Sequence, residues 1–376
     1  MNPLRQLENH GQSVWLDFTS RSFVENGELR KLIAEDGVSG VTSNPAIFAE
    51  AIGQGTDYDD IIRQAAERRV TPRDAFEEIV VADIQAVADD LRETFERTHG
   101  RDGYVSLEVS PDLARDAEGS VAQANELWGR VDRPNLFIKI PGTVAGLTAI
   151  RQLTAQGINV NVTLLFGFSR YLQVVEAYLA GLEERLLAGR SVRWVRSVAS
   201  FFLSRIDVLV DKKLEEIARI DPARASAAQA LHGQTAIACA KQAYQAFREI
   251  HIDRRFQRLA ASGAESQRLL WASTGTKNPA ERDVRYVEAL IGPDTISTMP
   301  RKTLEAFRDH GDPTPRLQEG LDKAQATIAA LAKVGIDLEA VSRELEAEGV
   351  KKFAEPYGQL LGSLERKMSA SAPSGR

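Results

Sequence analysis

The sequence predicts an α/β fold of the (β/α)8 TIM barrel type, with helical insertions and a C-terminal helical extension. Three observations carry this expectation. Short β-like runs alternate with longer amphipathic helical stretches, there are eight such runs, and polar residues gather at their C-terminal ends. The alternation implies a parallel sheet with right-handed crossovers. Eight units match a closed barrel of about 250 residues, whose chemistry sits at the C-terminal strand ends.

The β-like runs are VWLDFTS (14–20), VSGVTSN (38–44), YVSLEVS (104–110) and LFIKIPG (136–142). INVNVTLLF (158–166), WVRSVASFFLS (194–204), RLLWAST (268–274) and TISTMP (295–300) follow. Between them, 71–98 reads as one long helix, opened by Thr71 as N-cap and Pro72 at the first helical position. Residues 169–188 form another amphipathic stretch. The surplus over a minimal barrel lies in two helical insertions, roughly 45–100 and 222–264, and in the helical extension after 301. One barrel domain over 1–368 is therefore expected, with a disordered tail at 369–376. An open doubly wound sheet is disfavoured, because no GxGxxG follows the first strand and no Walker sequence is present.

The 376 residues are 43% hydrophobic and 27% charged, with a net charge of −6, which argues against nucleic acid and anionic membrane as partners. No signal-peptide h-region and no bilayer-length apolar segment is evident, so no membrane association is expected. The lone Cys239 excludes a disulfide within the chain and fits a reduced, cytoplasmic setting. Its helical context, QTAIACAKQAYQAF, reads as a small core residue. Five scattered histidines, without HExxH or CxxC spacing, predict no metal site. Helix-coated barrels occur as monomers and as homodimers, and a homodimer stays open as an expectation.

The strand ends offer Asp17, then Thr42-Ser43-Asn44, Glu108, Lys139, Asn161 with Thr163, Ser200 with Arg205, and Ser273 with Lys277. Asn161 and Thr163, two apart, share a face. Each has a structural alternative: Asp17 or Asn44 as turn caps, Asn161 and Thr163 as loop ties, Arg205 and Lys277 as surface charges. A lysine and a glutamate within apolar strands are harder to dismiss, because desolvation of an ionised group costs several kcal/mol. A structural Glu108–Lys139 ion pair would explain those two residues, but not the other polar strand ends. In a water-poor apolar pocket the charged lysine is disfavoured, so a neutral amine could attack a carbonyl and form a Schiff base. The iminium is an electron sink that lets a neighbouring carbon–carbon bond break. Asp17 or Glu108 could shuttle the proton. Asn44, Asn161, Thr163 and Ser200 suit substrate hydroxyls, and Arg205, Ser273 and Lys277 suit a phosphate.

These residues resemble the transaldolase family. GVTSNPAIF (40–48) and LFIKIPGTVAGLTAI (136–150) look like its two signatures, and NVTLLF (161–166) looks like its fifth-strand motif. The likeness runs from WLDFTS near the N-terminus to GVKKFAEPYGQLL (349–361), and the length resembles the longer bacterial members. It implies a (β/α)8 barrel of the pentose phosphate pathway, needing no cofactor or metal. Such an enzyme moves a dihydroxyacetone unit from sedoheptulose 7-phosphate to glyceraldehyde 3-phosphate, giving erythrose 4-phosphate and fructose 6-phosphate. By resemblance, Lys139 is the Schiff-base lysine, Asp17 the acid/base, and Glu108 and Thr163 the holders of a catalytic water. Asn44 and Asn161 would bind the dihydroxyacetone hydroxyls beside Thr42 and Ser43 of the first signature. Ser200 would line the pocket, and Arg205 and Ser273 would bind phosphate. The chain departs from the family at Gly275, where many members carry an arginine. Lys277, two residues on, is inferred to take over that contact. SFFLSR (200–205) also lacks the proline that often follows the serine.

Two other functions are compatible with parts of this pattern. Fructose 6-phosphate aldolase-like relatives release free dihydroxyacetone; they are much shorter and carry a tyrosine where this chain has Phe202. A catalytically silent sugar-phosphate-binding barrel would not need Asp17, Glu108 and Lys139 together.

Overall fold

The computed structural model describes residues 2–54 and 56–371. Eight parallel strands close into a barrel in sequence order, the last pairing with the first. They are β1 Gln12–Leu16, β2 Val38–Thr42, β3 Tyr104–Glu108, β4 Leu136–Pro141, β5 Val160–Leu165, β6 Ser197–Phe202, β7 Arg268–Ala272 and β8 Thr295–Met299. Every predicted strand forms, each shorter than the run that announced it. β1 begins two residues earlier than predicted, which leaves Asp17 just beyond its end.

The two-residue repeat of a strand sorts the barrel interior into layers. Trp15, Tyr104 and Phe137 fill the N-terminal base, with ring centroids 6.1 Å apart for Trp15–Phe137 and 4.4 Å for Tyr104–Phe137. Gly40 admits the indole, since a Cβ there would lie 2.4 Å from it. Two residues further along the same strands come Asp17, Ser106 and Lys139. On these three strands the interior therefore changes from aromatic at the base to polar at the C-terminal mouth.

The insertion after β2 folds as helices Pro45–Gln54, Asp59–Arg68, Pro72–Asp90 and Arg92–Arg97. Thr71 caps the third of these helices with Pro72 at its first position, as the sequence suggested, and Asp74 completes a reciprocal capping box. The single helix expected over 71–98 is corrected to two, which join at Leu91. Leu91 is fully buried, so packing breaks a segment that carries no glycine or proline at the junction. Asp83 ties this insertion to the short helix Arg21–Glu25 that follows β1. Arg21 donates to it at 2.6 and 3.0 Å, and Tyr58 at 2.7 Å. The insertion after β6 gives helices Pro222–Ala230, Thr235–Ile252 and Arg254–Ala261.

The C-terminal extension ends in a helix of 34 residues, Leu338–Ser371, about 51 Å long. It lies against β5 and the first three helices of the β2–β3 insertion. Residues 369–371, expected in a disordered tail, continue this helix, and 372–376 lie outside the described residues. No helix among the described residues is long and apolar enough to cross a membrane.

Candidate active site

Strand register builds the centre of the site. Glu108 pairs with Lys139, and Lys139 with Asn161, across three adjacent strands. The Lys139 ammonium donates to the Ser43 carbonyl at 2.9 Å and lies 3.4 Å from Glu108 Oε2. Both side chains are nearly buried, at 6% and 7% exposure. The apolar surroundings expected for Lys139 are corrected here: its nitrogen meets a carboxylate and a backbone carbonyl. That follows from strand register, which sets Glu108 on one side of Lys139 and Asn161 on the other.

Asp17 completes the group from the first strand end. Its backbone N–H donates to Met299 at 2.8 Å, and its carboxylate accepts from Thr42 Oγ1 at 2.7 Å. Burial pushes the Asp17 carboxyl above its usual range, against Lys139, the Thr42 hydroxyl and Arg205. Burial also raises Glu108; Lys139 opposes the shift and Asp17 adds to it. Both acids are thus biased toward holding a proton.

A hydroxyl and amide network surrounds this core. Thr42 shares a hydroxyl contact of 2.8 Å with Thr298 of β8. Asn161 donates to Ser106 Oγ at 3.0 Å and accepts from Ser200 at 2.7 Å, so one amide links three strands. Thr163 is fully buried, and its hydroxyl has no hydrogen-bond partner among the described residues. Just after it, Leu164 takes a left-handed φ of 60°, where the β5–β6 register shifts. This bulge lets Thr163 line the cavity while Leu164 packs outward under the C-terminal helix.

The mouth opens into a cavity of about 720 Å³ that includes its solvent-facing part. Asp17, Thr42, Asn44, Lys139, Thr163 and Ser200 line its inner end. Arg205, Ser273, Lys277, Phe202 and Phe353 line the rest, with Thr298 and Gly275. Ser273, at φ 56°, holds its hydroxyl 2.8 Å from that of Ser204. Lys277 is exposed at the rim. Burial pushes the Arg205 guanidinium down from its usual range, with Glu348, Asp17 and Glu108 opposing. A second cavity of about 450 Å³ lies on the far side of Glu108, lined by Ser43, Asn44 and Glu108 with Phe48, Phe76 and Tyr357.

The structure brings nearly all sequence-predicted residues to one mouth, but not in equal roles. Ser43 Oγ donates to the Ser106 carbonyl at 2.7 Å, and its own carbonyl holds Lys139, so it lines only the second cavity. Asn161 reaches the site through Ser106 and Ser200 and is absent from the main cavity lining. Asn44 caps helix Pro45–Gln54, accepting from Ala46 and Ile47 at 3.0 and 3.1 Å, while also facing the cavity. Sequence reading passed over Ser106, Thr298 and Phe353. Ser106 is two residues from Glu108 and so was findable by strand alternation. Phe353, inside a helical pattern, gave no local signal.

A near-buried lysine beside the near-buried Glu108, with the Asp17 carboxyl lining the same cavity at the mouth of a parallel barrel, defines a class: lysine-dependent barrel enzymes acting on carbonyl compounds. The sequence profile of the transaldolase/fructose-6-phosphate aldolase family matches residues 14–364, and the chain belongs to that family. It is 48% identical to the transaldolase of Thiobacillus denitrificans, over 97% of this chain and 100% of that protein. It is 48% identical to the transaldolase of Thermobifida fusca, over 98% and 99%. For the transaldolase of Frankia alni the identity is 46%, with both chains covered completely.

Proposed function

We propose that this protein is a transaldolase that moves a dihydroxyacetone unit from sedoheptulose 7-phosphate to glyceraldehyde 3-phosphate. As the neutral amine, Lys139 attacks the ketose carbonyl and forms the Schiff base, the carbonyl oxygen leaving as water. The carbon–carbon bond beyond it then breaks, as Asp17 takes the proton of the neighbouring hydroxyl. Erythrose 4-phosphate leaves, and the enamine left on Lys139 adds to the aldehyde of glyceraldehyde 3-phosphate. Asp17 returns its proton to the new hydroxyl, and water releases fructose 6-phosphate. Glu108 and Thr163 hold that water, while Asn44, Asn161 and Ser200 fix the dihydroxyacetone end, with Thr42 and Ser43 placing Asp17 and Lys139. Arg205, Ser273 and Lys277 receive the phosphate. We also infer a cytoplasmic setting, since the single cysteine is free and buried.

The observation that carries this reading is Lys139 at 3.4 Å from Glu108, beside the cavity that Asp17 lines. The unpartnered Thr163 hydroxyl supports the water site, because a buried hydroxyl without a partner is costly unless a ligand or water meets it. Full-length similarity to transaldolases, together with Phe202, favours transfer over release of free dihydroxyacetone. Product analysis tests the choice. With fructose 6-phosphate and erythrose 4-phosphate, sedoheptulose 7-phosphate should form. With fructose 6-phosphate alone, steady release of dihydroxyacetone would instead mark an aldolase.

A further inference from the structure

Arg205 occupies the second position of helix Ser204–Ile220, directly beyond β6. Its guanidinium carbon lies 5.4 Å from the ring centroid of Phe202 and 5.7 Å from that of Phe353. Both distances are within cation–π range. Phe202 ends β6, whereas Phe353 comes from the C-terminal helix, and both rings line the main cavity. Arg205 Nη1 is buried with no hydrogen-bond partner among the described residues. The charge thus faces two rings and the field of Glu348, and Nη1 is left without a protein acceptor.

The helix that brings Phe353 is itself anchored one turn to either side. Gly349, Phe353 and Tyr357 are spaced i, i+4, i+8 and share one face. A Cβ on Gly349 would lie 2.8 Å from Leu164 Cδ2, so the helix backbone rests directly on the β5 bulge. Tyr357 meets Phe76 edge-on, with centroids 5.6 Å apart. The Phe353 ring is therefore fixed relative to both Thr163 and Arg205. A free arginine side chain loses considerable rotamer freedom when it grips an anion, and a clamp aligned in advance avoids part of that loss.

We propose that Phe353 is a positioning residue: it aligns Arg205 for the phosphate of the substrate, so the C-terminal helix sets the preference for phosphorylated over non-phosphorylated ketoses. This rests on the sugar-phosphate reading above. It assigns the helical extension a part in recognition rather than in packing alone.

The test compares Phe353→Leu, which keeps apolar bulk, with Phe353→Tyr, which keeps the ring. Phe353→Leu should raise KM for fructose 6-phosphate about tenfold, with kcat within about twofold of wild type. Phe353→Tyr should stay within about twofold in both constants. KM for non-phosphorylated fructose should be unaffected in either variant. In an Arg205→Ala background, Phe353→Leu should add almost nothing, because its effect passes through Arg205. The proposal is overturned if Phe353→Leu binds fructose 6-phosphate like wild type. It is equally overturned if both sugars lose alike, or if the leucine variant adds its full factor without Arg205. Should Phe353→Leu not fold, Phe353→Met takes its place. Borohydride trapping of fructose 6-phosphate separates the two levels: label on Lys139 in wild type keeps the Schiff-base reading standing whatever the Phe353 variants do.

Discussion

The base and the mouth of the barrel both bury polar side chains and treat them differently. At the base, Arg268 of β7 donates to Ser13 Oγ at 2.6 Å and the Thr295 carbonyl at 2.8 Å, joining three strands. Trp15 Nε1 donates to Asp102 at 2.6 Å, and Gln12 ties to Leu290 and Thr295 at 2.7 and 2.9 Å. Single atoms there lack partners, such as Arg268 Nε and Gln12 Oε1, but each side chain is secured through its other atoms. At the mouth, Thr163 Oγ1 and Arg205 Nη1 have none, and two carboxylates sit in surroundings that disfavour their charge. Polar groups at the base close the sheet. Those at the mouth include polar atoms left unpaired and carboxyls disfavoured as ions, at a cost to stability.

That contrast can be broken by substitution. The largest expected effect is at Asp17. Asp17→Asn should lower kcat about 10²- to 10⁴-fold while largely sparing KM. Because burial raises the folded-state pKa of Asp17 above 3.8, the ionised carboxylate weakens the fold as pH rises past that value. The variant should therefore be at least as stable as wild type at neutral pH in urea denaturation. Unchanged turnover would remove Asp17 from the mechanism. Next comes Arg268→Met at the base. It should cost about 3 kcal/mol of stability, having stripped three strands of a shared donor and left Asp102 without its cation. Turnover per folded molecule should not change. A turnover loss at unchanged stability would dissolve the distinction between the two ends.

The smallest effect concerns Asp207, a buried carboxylate at neither end. It accepts from Ala236 N at 2.7 Å and Tyr286 Oη at 2.8 Å, and so anchors the β6–β7 insertion. Burial pushes its carboxyl up to about 6, despite those hydrogen bonds. Between pH 3.8 and about 6 the folded state holds more protons than the unfolded one, so stability falls as pH rises through that window. Asp207→Asn, which can still accept from Ala236 N and donate to Tyr286, should flatten this slope by roughly 1–3 kcal/mol without altering kcat. A stability profile identical to that of wild type would contradict it.

The barrel was legible because its strands are apolar runs punctuated by turn residues, and period-two alternation needs no long-range knowledge. Lys139 stood out because an ionisable group in such a run is incongruous. What could not be read came from tertiary contact. The break at Leu91 is set by burial. Ser43 looked like a substrate ligand, yet its hydroxyl serves the Ser106 carbonyl. Phe353 is a helix-periodic aromatic, indistinguishable in sequence from a core residue, and only the fold stacks it on Arg205. The polar surroundings of Lys139 also escaped a reading confined to its own strand, because its neighbours come from β2 and β3.

In the proposed mechanism everything turns on Lys139 forming a covalent imine with a ketose phosphate at the mouth. Incubation with fructose 6-phosphate and borohydride, followed by peptide mass analysis, tests it most directly. Irreversible loss of activity is expected, with a reduced sugar adduct on the Lys139 peptide and none in Lys139→Ala. Full activity in Lys139→Ala, or an adduct confined to another lysine, would contradict it.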